Sequence, residues 1–586
     1  MIRLALSAAC LALLASLGSC ASRAALDLTV DLTARAPQLN GFGAPALQTA
    51  SSSAAAREFF SQGVLQAYAF NEQEAVRQFK AALAQDPRCA MCAWGVAWQL
   101  GPNINAPDRD DLAEARRYIA FAQRHADHAT PLERRLIDAT ALRYGAAAPT
   151  PAEAPLAAPV CGAKGSGRAD PLDRLYAERL RAIADAEPGN ADVVSLYVEA
   201  ELIATRDDWW SHATGLPAGR IGELAPRIET ALATSPGHTG LNHYLIHVQD
   251  SGPGAARALA AADRLSALAP ASPHLVHMPS HIFVRVGRYA DAAAANQAGL
   301  AAQAAEQAEL KRQGFNETKD WDGHNLHFLW FAALMQGQGD LALATARRIA
   351  ERAAASPQAA GAYRPGLPLL TLVRLERWQA VLAETASAEA ASSEFTSTKP
   401  TNSKTSNADP PPGLAAAIAH YARGTALWRT GMRDGAAREA EALGRSLAAT
   451  RAAAQGKDED DRETGAARIA LVLANLLQAE LQADGGDLPA AQALLAEAIT
   501  AEDKLAGEPP VLADIARVAR GELLLRHRRP VEAEAAFRDD LIEQPGNGWA
   551  LRGLARALAD QGRAADAMQT RAALTAAWIQ ADTALR

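Results

Sequence analysis

Two stretches of the 586-residue chain, PGHTGLNHYLIHVQD at 236–250 and PASPHLVHMPSHIFV at 270–284, share one layout. Each begins with a proline and carries histidines seven and eleven residues later. The histidine pairs are His243 with His247 and His277 with His281. The copies therefore stand 34 residues apart (243 to 277, 247 to 281). A repeat of this length is typical of stacked pairs of antiparallel helices, so the sequence predicts an all-α solenoid of helical hairpins.

The composition agrees with a helical chain and excludes one class of partner. Alanine, leucine, arginine and glutamate dominate, whereas aromatic residues make up only 5%. These are strong helix formers, which favours helix throughout. The formal net charge is −8, and a general nucleic-acid binder needs a basic face to neutralise phosphates. We therefore expect no nucleic-acid partner.

The N-terminus has the features of a processing segment, residues 1–20. Arg3 precedes an apolar run that is too short to span a bilayer and that ends at Leu17-Gly18-Ser19-Cys20. This tetrapeptide resembles a bacterial lipobox, in which the cysteine is lipidated; the alternative is an ordinary signal peptide cleaved a few residues later. We expect an envelope lipoprotein facing the periplasm, held at the membrane only through a lipid on Cys20. Ala21 favours the outer membrane.

Further repeats recur along the chain with small residues and anchors at regular places. The stretch FFSQGVLQAYAFNEQEAVRQFKAALAQDP, at 59–87, places Gly63 and Phe79 where two helices approach closely. Gly521 and Phe537 repeat this arrangement near the C-terminus. The pattern resembles the tetratricopeptide repeat family over most of the mature chain. That resemblance implies a right-handed superhelix whose concave groove binds a peptide or a protein partner.

Composition shifts predict the order of segments after the leader. The Ala/Ser-rich composition after the leader predicts a tether. A later Ser/Thr/Pro-rich stretch predicts a linker, because its side chains cannot bury a hydrophobic core. The predicted segments are a tether at 21–55, an N-terminal array with a histidine-rich groove at 56–385, a linker at 386–412 and a C-terminal array at 413–586.

The repeated histidine pairs predict a metal site in the first array. Histidines four residues apart lie on one face of a helix, where both rings reach a single ion. Two further histidines, His324 and His327, fall in the same region and are added as ligands. Imidazole suits zinc and copper, which are the expected ions. Two alternatives remain open: polar groups in a peptide-binding groove, and a duplicated structural pair that binds no metal.

Whether the protein is an enzyme stays open at this stage. Glu199 stands at the equivalent offset in the preceding repeat, and we expect it to act as the acid or base of an activated metal-bound water. The sequence has no nucleophile elbow, phosphate-binding glycine loop or HExxH motif. The rival hypothesis is a pure interaction scaffold, which metal content and convergence of the histidine rings would distinguish from a metalloprotein.

A CAMC motif places Cys89 and Cys92 at the predicted start of a helix, just after Asp86-Pro87. A helix N-terminus stabilises a thiolate, so redox or metal chemistry is one interpretation. In an oxidising compartment, however, the two cysteines form a structural disulfide, and this is the interpretation we favour.

Overall fold

The structure is a computed structural model that describes residues 29–44, 47–106, 112–150, 170–206, 209–211, 214–316, 319–355, 363–386, 413–454, 465–505 and 507–582. The predicted leader, with Cys20, lies outside the described residues, and so does 387–412 of the predicted linker.

Regular structure in the described ranges is helical, apart from two isolated bridges, Asn103–Ala106 and Trp210–Pro217. The first helices are α1 Ala54–Tyr68, α2 Glu72–Gln85, α3 Ala90–Leu100, α4 Ala113–Arg124, α5 Pro131–Arg143, α6 Pro171–Ala186, α7 Ala191–Thr205 and α8 Ile221–Thr234. The next are α9 Thr239–Asp250, α10 Leu259–Leu268, α11 Pro273–His277, α12 Pro279–Arg285, α13 Tyr289–Arg312, α14 Asp322–Met335, α15 Gly339–Ala355 and α16 Leu367–Arg374. Residues 378–386 are also helical. The last are α17 Leu414–Arg429, α18 Arg433–Ala454, α19 Gly465–Asp484, α20 Leu488–Glu502, α21 Ile515–Arg526, α22 Pro530–Glu543, α23 Gly548–Asp560 and α24 Ala564–Ala577.

Successive helices pack against each other as hairpins, and buried phenylalanines fix the close approaches. Phe79 of α2 lies between α1 and α3, because a Cβ added at Gly63 or Gly95 would come within 2.6 or 2.5 Å of its ring. Phe537 of α22 has the same role, with a Cβ at Gly553 only 2.2 Å from the ring. Side chains at these glycines would overlap the rings, so the repeat depends on glycine here. The all-α hairpin architecture predicted from the sequence is confirmed.

The helices form two compact units that differ from the predicted pair of arrays. The first comprises Met1–Leu39, Pro45–Trp209 and Ala218–Arg227, and the second comprises Asn40–Ala44, Trp210–Pro217 and Ile228–Arg586. The division falls within α8, whereas helices on both sides of 386–412 belong to the second unit. In that unit the Trp549 indole donates to the Leu334 carbonyl at 2.9 Å, and the Trp578 indole donates to Met335 O at 3.0 Å. Such contacts lie within the second unit, which contains the predicted C-terminal array and the part of the predicted N-terminal array after Arg227.

The described part of the predicted tether is packed rather than loose. Leu39, Phe42 and Leu47 are 4%, 2% and 6% exposed, so apolar side chains hold this segment to the helices. Within the first unit, Gln78 Nε2 donates to the Pro37 carbonyl at 2.8 Å. In the second unit, the Gly41 carbonyl accepts from the Ala271 amide at 2.9 Å. The Ala/Ser-rich composition concealed these few anchoring residues.

The described helices include none that combines the length and apolarity needed to cross a membrane.

Candidate metal centre

The first histidine pair lies on α9. The His238 imidazole caps this helix, with Nδ1 accepting from the Leu241 amide at 3.0 Å, and so fixes where the helical turns begin. The four-residue spacing then stacks His243 and His247 on one face, with their Nε2 atoms 3.0 Å apart.

A third ring joins this pair from the start of α11. Ser272 caps α11 by accepting from the Leu275 amide at 3.2 Å. His274, in the first turn, places its Nε2 3.1 Å from His243 Nε2 while its ring stacks on Trp321 at 4.0 Å between centroids. We call the set His243, His247 and His274 site A.

The second pair spans a break in the helix. Pro279 has no amide hydrogen to donate to the preceding turn, and α11 ends at His277 while α12 begins at Pro279. The rings nevertheless stay together, with Nε2 of His277 and His281 3.0 Å apart. His324 of α14 brings its Nε2 to 3.4 Å from that of His281. We call the set His277, His281 and His324 site B.

The two sites are neighbours along α11. The ring centroids of His274 in site A and His277 in site B are 6.3 Å apart. The histidine rings thus form two sets of three. In each set, one ligand atom per residue lies within 4.8 Å of the others.

Acceptors on the far side of two rings determine which nitrogen faces the site B centre. His277 Nδ1 lies 2.7 Å from Asn296 Oδ1, while Asn296 Nδ2 donates to the Ala292 carbonyl. His281 Nδ1 lies 2.7 Å from the Asp250 carboxylate. An imidazole that donates through Nδ1 in its neutral form carries its lone pair on Nε2. The Nε2 atoms of His277 and His281 thus face each other at 3.0 Å, a contact that needs a cation or a proton between them.

The nitrogen separations suit an ion at the centre of each set. Zn–N bonds of about 2.0–2.1 Å imply nitrogens roughly 2.9–3.4 Å apart for octahedral to tetrahedral angles. The measured separations are 3.0 and 3.1 Å in site A and 3.0 and 3.4 Å in site B. Three imidazoles per set leave a coordination position for water or another ligand.

The electrostatics differ between the two sites. Burial, with a smaller effect from positively charged His281, lowers the pKa of His247 to about 3, and burial lowers that of His274 as well. Burial also opposes a charge on His281, yet the Asp250 carboxylate overrides it and raises the pKa of His281 to about 10. His247 and His274 of site A are therefore neutral, whereas site B contains one ring, His281, that holds a proton in the absence of metal.

A second carboxylate approaches His281 from a distant part of the chain. Glu508, in the connection between α20 and α21, places Oε2 3.3 Å from His281 Nδ1, and its side chain is half exposed. Asp250, His281 and Glu508 form a third group with clustered ligand atoms. Because His281 Nδ1 already faces Asp250 at 2.7 Å, these carboxylates are placed to orient the ring behind site B.

Two predicted residues lie elsewhere in the described structure. His327, on α14, stacks on Trp330 at 5.5 Å between centroids and places Nε2 3.5 Å from the Tyr363 hydroxyl, and it belongs to neither set of three. Glu199, on α7 in the first unit, accepts from Trp98 Nε1 at 2.9 Å. The acid or base role assigned to Glu199 stays a prediction.

Sequence spacing did not identify every contributor. His274 lies three residues before His277, outside the four-residue pairs, and only the packing of neighbouring hairpins brings it to His243. Asn296 on α13 and Glu508 had no local signal, since their relation to the histidines arises from packing of helices distant in sequence.

The predicted cysteine pair lies in the first unit. Cys89 and Cys92 form a disulfide with Cα atoms 5.3 Å apart, and Cys89 is the N-cap of α3. Both residues are buried. This arrangement differs from an exposed reactive thiolate.

Comparison with known proteins yields structural neighbours only. No protein-family model matches the chain, and no curated protein matches it. The solved Naa15/Naa10 structure bound to HypK-THB is 13% identical, with a TM-score of 0.21 over 90% of this chain and 70% of that one. The TPR domain of P58(IPK) is 10% identical, with a TM-score of 0.20 over 87% of this chain and 99% of that one. Yeast Tom70 is 12% identical, with a TM-score of 0.23 over 90% of this chain and 96% of that one. With such TM-scores, the tetratricopeptide-like architecture rests on the hairpin packing of this chain.

Proposed function

We propose that this protein is a helical-hairpin scaffold that binds transition-metal ions at two neighbouring three-histidine sites, A and B. The observation that carries the proposal is that in each site one Nε2 atom lies 3.0–3.4 Å from the Nε2 atoms of the two other histidines, and all three residues have a ligand atom within 4.8 Å of the others. Imidazole nitrogens that meet at such distances in a buried region need a cation or a proton between them. A metal ion at each centre supplies that cation.

The support behind site B favours a metal over a structural histidine cluster. A metal-ligating imidazole generally donates its other nitrogen to a carboxylate or an amide oxygen, which sets the tautomer and the ring orientation. His281 with Asp250 and His277 with Asn296 have this arrangement. A protonated His281 accounts for the site B contact in the metal-free state, and metal then displaces that proton.

Zinc and copper remain the expected ions. All-nitrogen sets from histidine suit both, and copper binds more tightly under the usual affinity order for divalent ions. The open coordination position is the place where a bound water or substrate would react, so hydrolytic or redox activity is worth testing once metal is present.

We also propose that the protein acts in the bacterial cell envelope. The lipobox-like Leu17-Gly18-Ser19-Cys20 supports export and lipidation at Cys20, with a weak preference for the outer membrane. Mass spectrometry of the membrane fraction tests this by detecting a diacylglyceryl group on Cys20 and its loss in Cys20→Ser.

Metal content of the untagged mature chain tests the metal proposal. We expect close to two equivalents of zinc or copper by elemental analysis, and close to none in a His247→Ala/His277→Ala double variant. A His128→Ala/His420→Ala variant removes two histidines outside both sites and is the matched control. Wild-type protein that holds no metal and takes up neither ion at micromolar concentration contradicts the proposal and leaves the scaffold for a peptide or protein partner as the better account.

A further inference from the structure

A cavity of about 120 Å³ lies in the second unit, lined by parts of α14, α16, α17, α21 and α23. The part of its wall that could contact a bound molecule through ring faces or guanidinium groups consists of aromatic side chains and arginines. They are Trp330, Trp378, Trp549, Tyr421, Arg374 and Arg429. No histidine of site A or site B lines this cavity.

The carboxylates in the cavity wall are already neutralised by ion pairs. Each of the three glutamates that line it has an arginine within 3.1 Å. The pairs are Glu376 with Arg552, Glu480 with Arg526 and Glu522 with Arg556. Among the described residues that line the cavity, these pairs leave the charges of Arg374 and Arg429 without a matching carboxylate.

Of these two arginines, Arg374 has buried donors that lack an acceptor in the described part of the chain. Its guanidinium lies 5.0 Å from the Trp549 ring centroid, and its Nε and Nη2 atoms are buried without a hydrogen-bond partner among the described residues. Burial lowers the pKa of Arg374, against the opposing effect of Asp540. Buried donors of a charged group are costly when unpaired, so an acceptor at this position would stabilise the structure.

We propose that the cavity binds a small organic anion, a carboxylate attached to a flat apolar group. The planar guanidinium of Arg374 presents donors in a fork that matches a carboxylate, and the tryptophans provide the faces for a ring. A cavity of about 150 Å³ accommodates benzene, so this cavity of about 120 Å³ limits the apolar group to a single ring. The carboxylate comes from a free acid or from the C-terminal residue of a peptide, which share this chemistry.

Titration with phenylacetate tests the proposal on the wild-type chain, with phenylacetamide as the uncharged match. Trp330, Trp378 and Trp549 line the cavity, so tryptophan fluorescence and calorimetry both report on it. We expect phenylacetate to bind with a Kd below about 1 mM, and the amide to bind about tenfold or more weakly. Equal binding of acid and amide, or no binding of either, overturns the proposal without any variant.

Arg374→Gln then locates the site. We expect the preference for acid over amide to disappear, whereas Arg312→Gln, which removes an exposed arginine paired with Glu309, should keep it. If Arg374→Gln does not fold, Arg429→Gln replaces it, with weaker acid binding expected. An unchanged acid preference in a folded cavity variant overturns the assignment.

Comparing N-acetyl-phenylalanine with a peptide ending in phenylalanine separates the two sources of carboxylate. Tighter binding of the peptide assigns the site to a protein C-terminus, and tighter binding of the free acid assigns it to a metabolite. The cavity lacks the site histidines, so these titrations, run with and without chelator, succeed or fail independently of the metal proposal.

Discussion

His281 connects the Asp250 carboxylate to site B: its Nδ1 lies 2.7 Å from Asp250 Oδ2, and its Nε2 lies 3.0 Å from His277 Nε2. One imidazole therefore faces a buried acid with one nitrogen and a candidate metal position with the other. Asp250 ends α9, the helix that also carries two ligands of site A. The same helix thus contributes two histidines to site A and contacts a histidine of site B.

Replacing Asp250 should weaken site B and spare site A. Asp250→Asn keeps an oxygen acceptor but removes the charge that increases the basicity of His281. Changes to such outer partners commonly cost about 10- to 100-fold in metal affinity. We expect zinc competition with a chelator to show this loss for one of two equivalents. Asp263→Asn, at an exposed ion pair with Arg288, is the control. Equal weakening of both equivalents would contradict a separate site B.

Metal binding at site B should release a proton from His281. The Asp250 carboxylate holds the pKa of His281 near 10, so at pH 7.5 the metal-free ring is charged and must lose its Nε2 proton to bind an ion. The pKa values of His247 and His274 are lowered, so these two rings of site A are already deprotonated. Calorimetry in buffers of different ionisation enthalpy should show that a proton is released when site B is filled, and His281→Gln should remove that release. Release of no proton from protein that binds both ions would show that His281 is neutral.

The hairpins and the histidine pairs were predictable from sequence because both depend on local spacing. A 34-residue period and glycines opposite Phe79 and Phe537 encode close helix approach, and four-residue spacing on one helix brings two rings together. The third ring of each site comes from another helix, and its position depends on how neighbouring helices pack. Glu508 approaches His281 only through the tertiary fold. The contacts of Trp549 and Trp578 with α14 depend on the tertiary fold in the same way.

The stability of the metal-free protein should depend on pH in opposite ways on either side of pH 6.5. Burial and positively charged His281 lower the folded-state pKa of His324 to about 3. The unfolded chain therefore binds a proton between pH 6.5 and 3 that the folded chain does not, and the free energy of unfolding falls as pH falls. The slope is up to about 1.4 kcal/mol per pH unit for each such histidine.

His281 has the reverse effect because its folded-state pKa is raised. Its contribution is fully present below pH 6.5 and is lost as pH rises towards about 10. Denaturant unfolding with chelator should therefore show maximum stability near pH 6.5. His324→Gln should flatten the acid side, and His281→Gln should flatten the alkaline side. Acid slopes that are identical in wild type and His324→Gln would contradict the neutral, buried state of that ring.

Two helical glycines that differ in their surroundings test the packing of the repeats. Gly444 on α18 is exposed and has open space around an added Cβ, so Gly444→Ala should raise the free energy of unfolding by about 0.5–1 kcal/mol through helix propensity alone. A Cβ at Gly553 would lie 2.2 Å from Cζ of Phe537, which is fully buried and has no room to move. Gly553→Ala should therefore lower the free energy of unfolding by about 1–3 kcal/mol despite the higher helix propensity of alanine.

Adding Phe537→Leu to Gly553→Ala should recover part of that loss, because the smaller side chain makes room for the methyl group. Urea unfolding of these variants gives the sign of each change in the free energy of unfolding. Stabilisation by Gly553→Ala as large as that by Gly444→Ala would show that Phe537 does not set the distance between neighbouring hairpins.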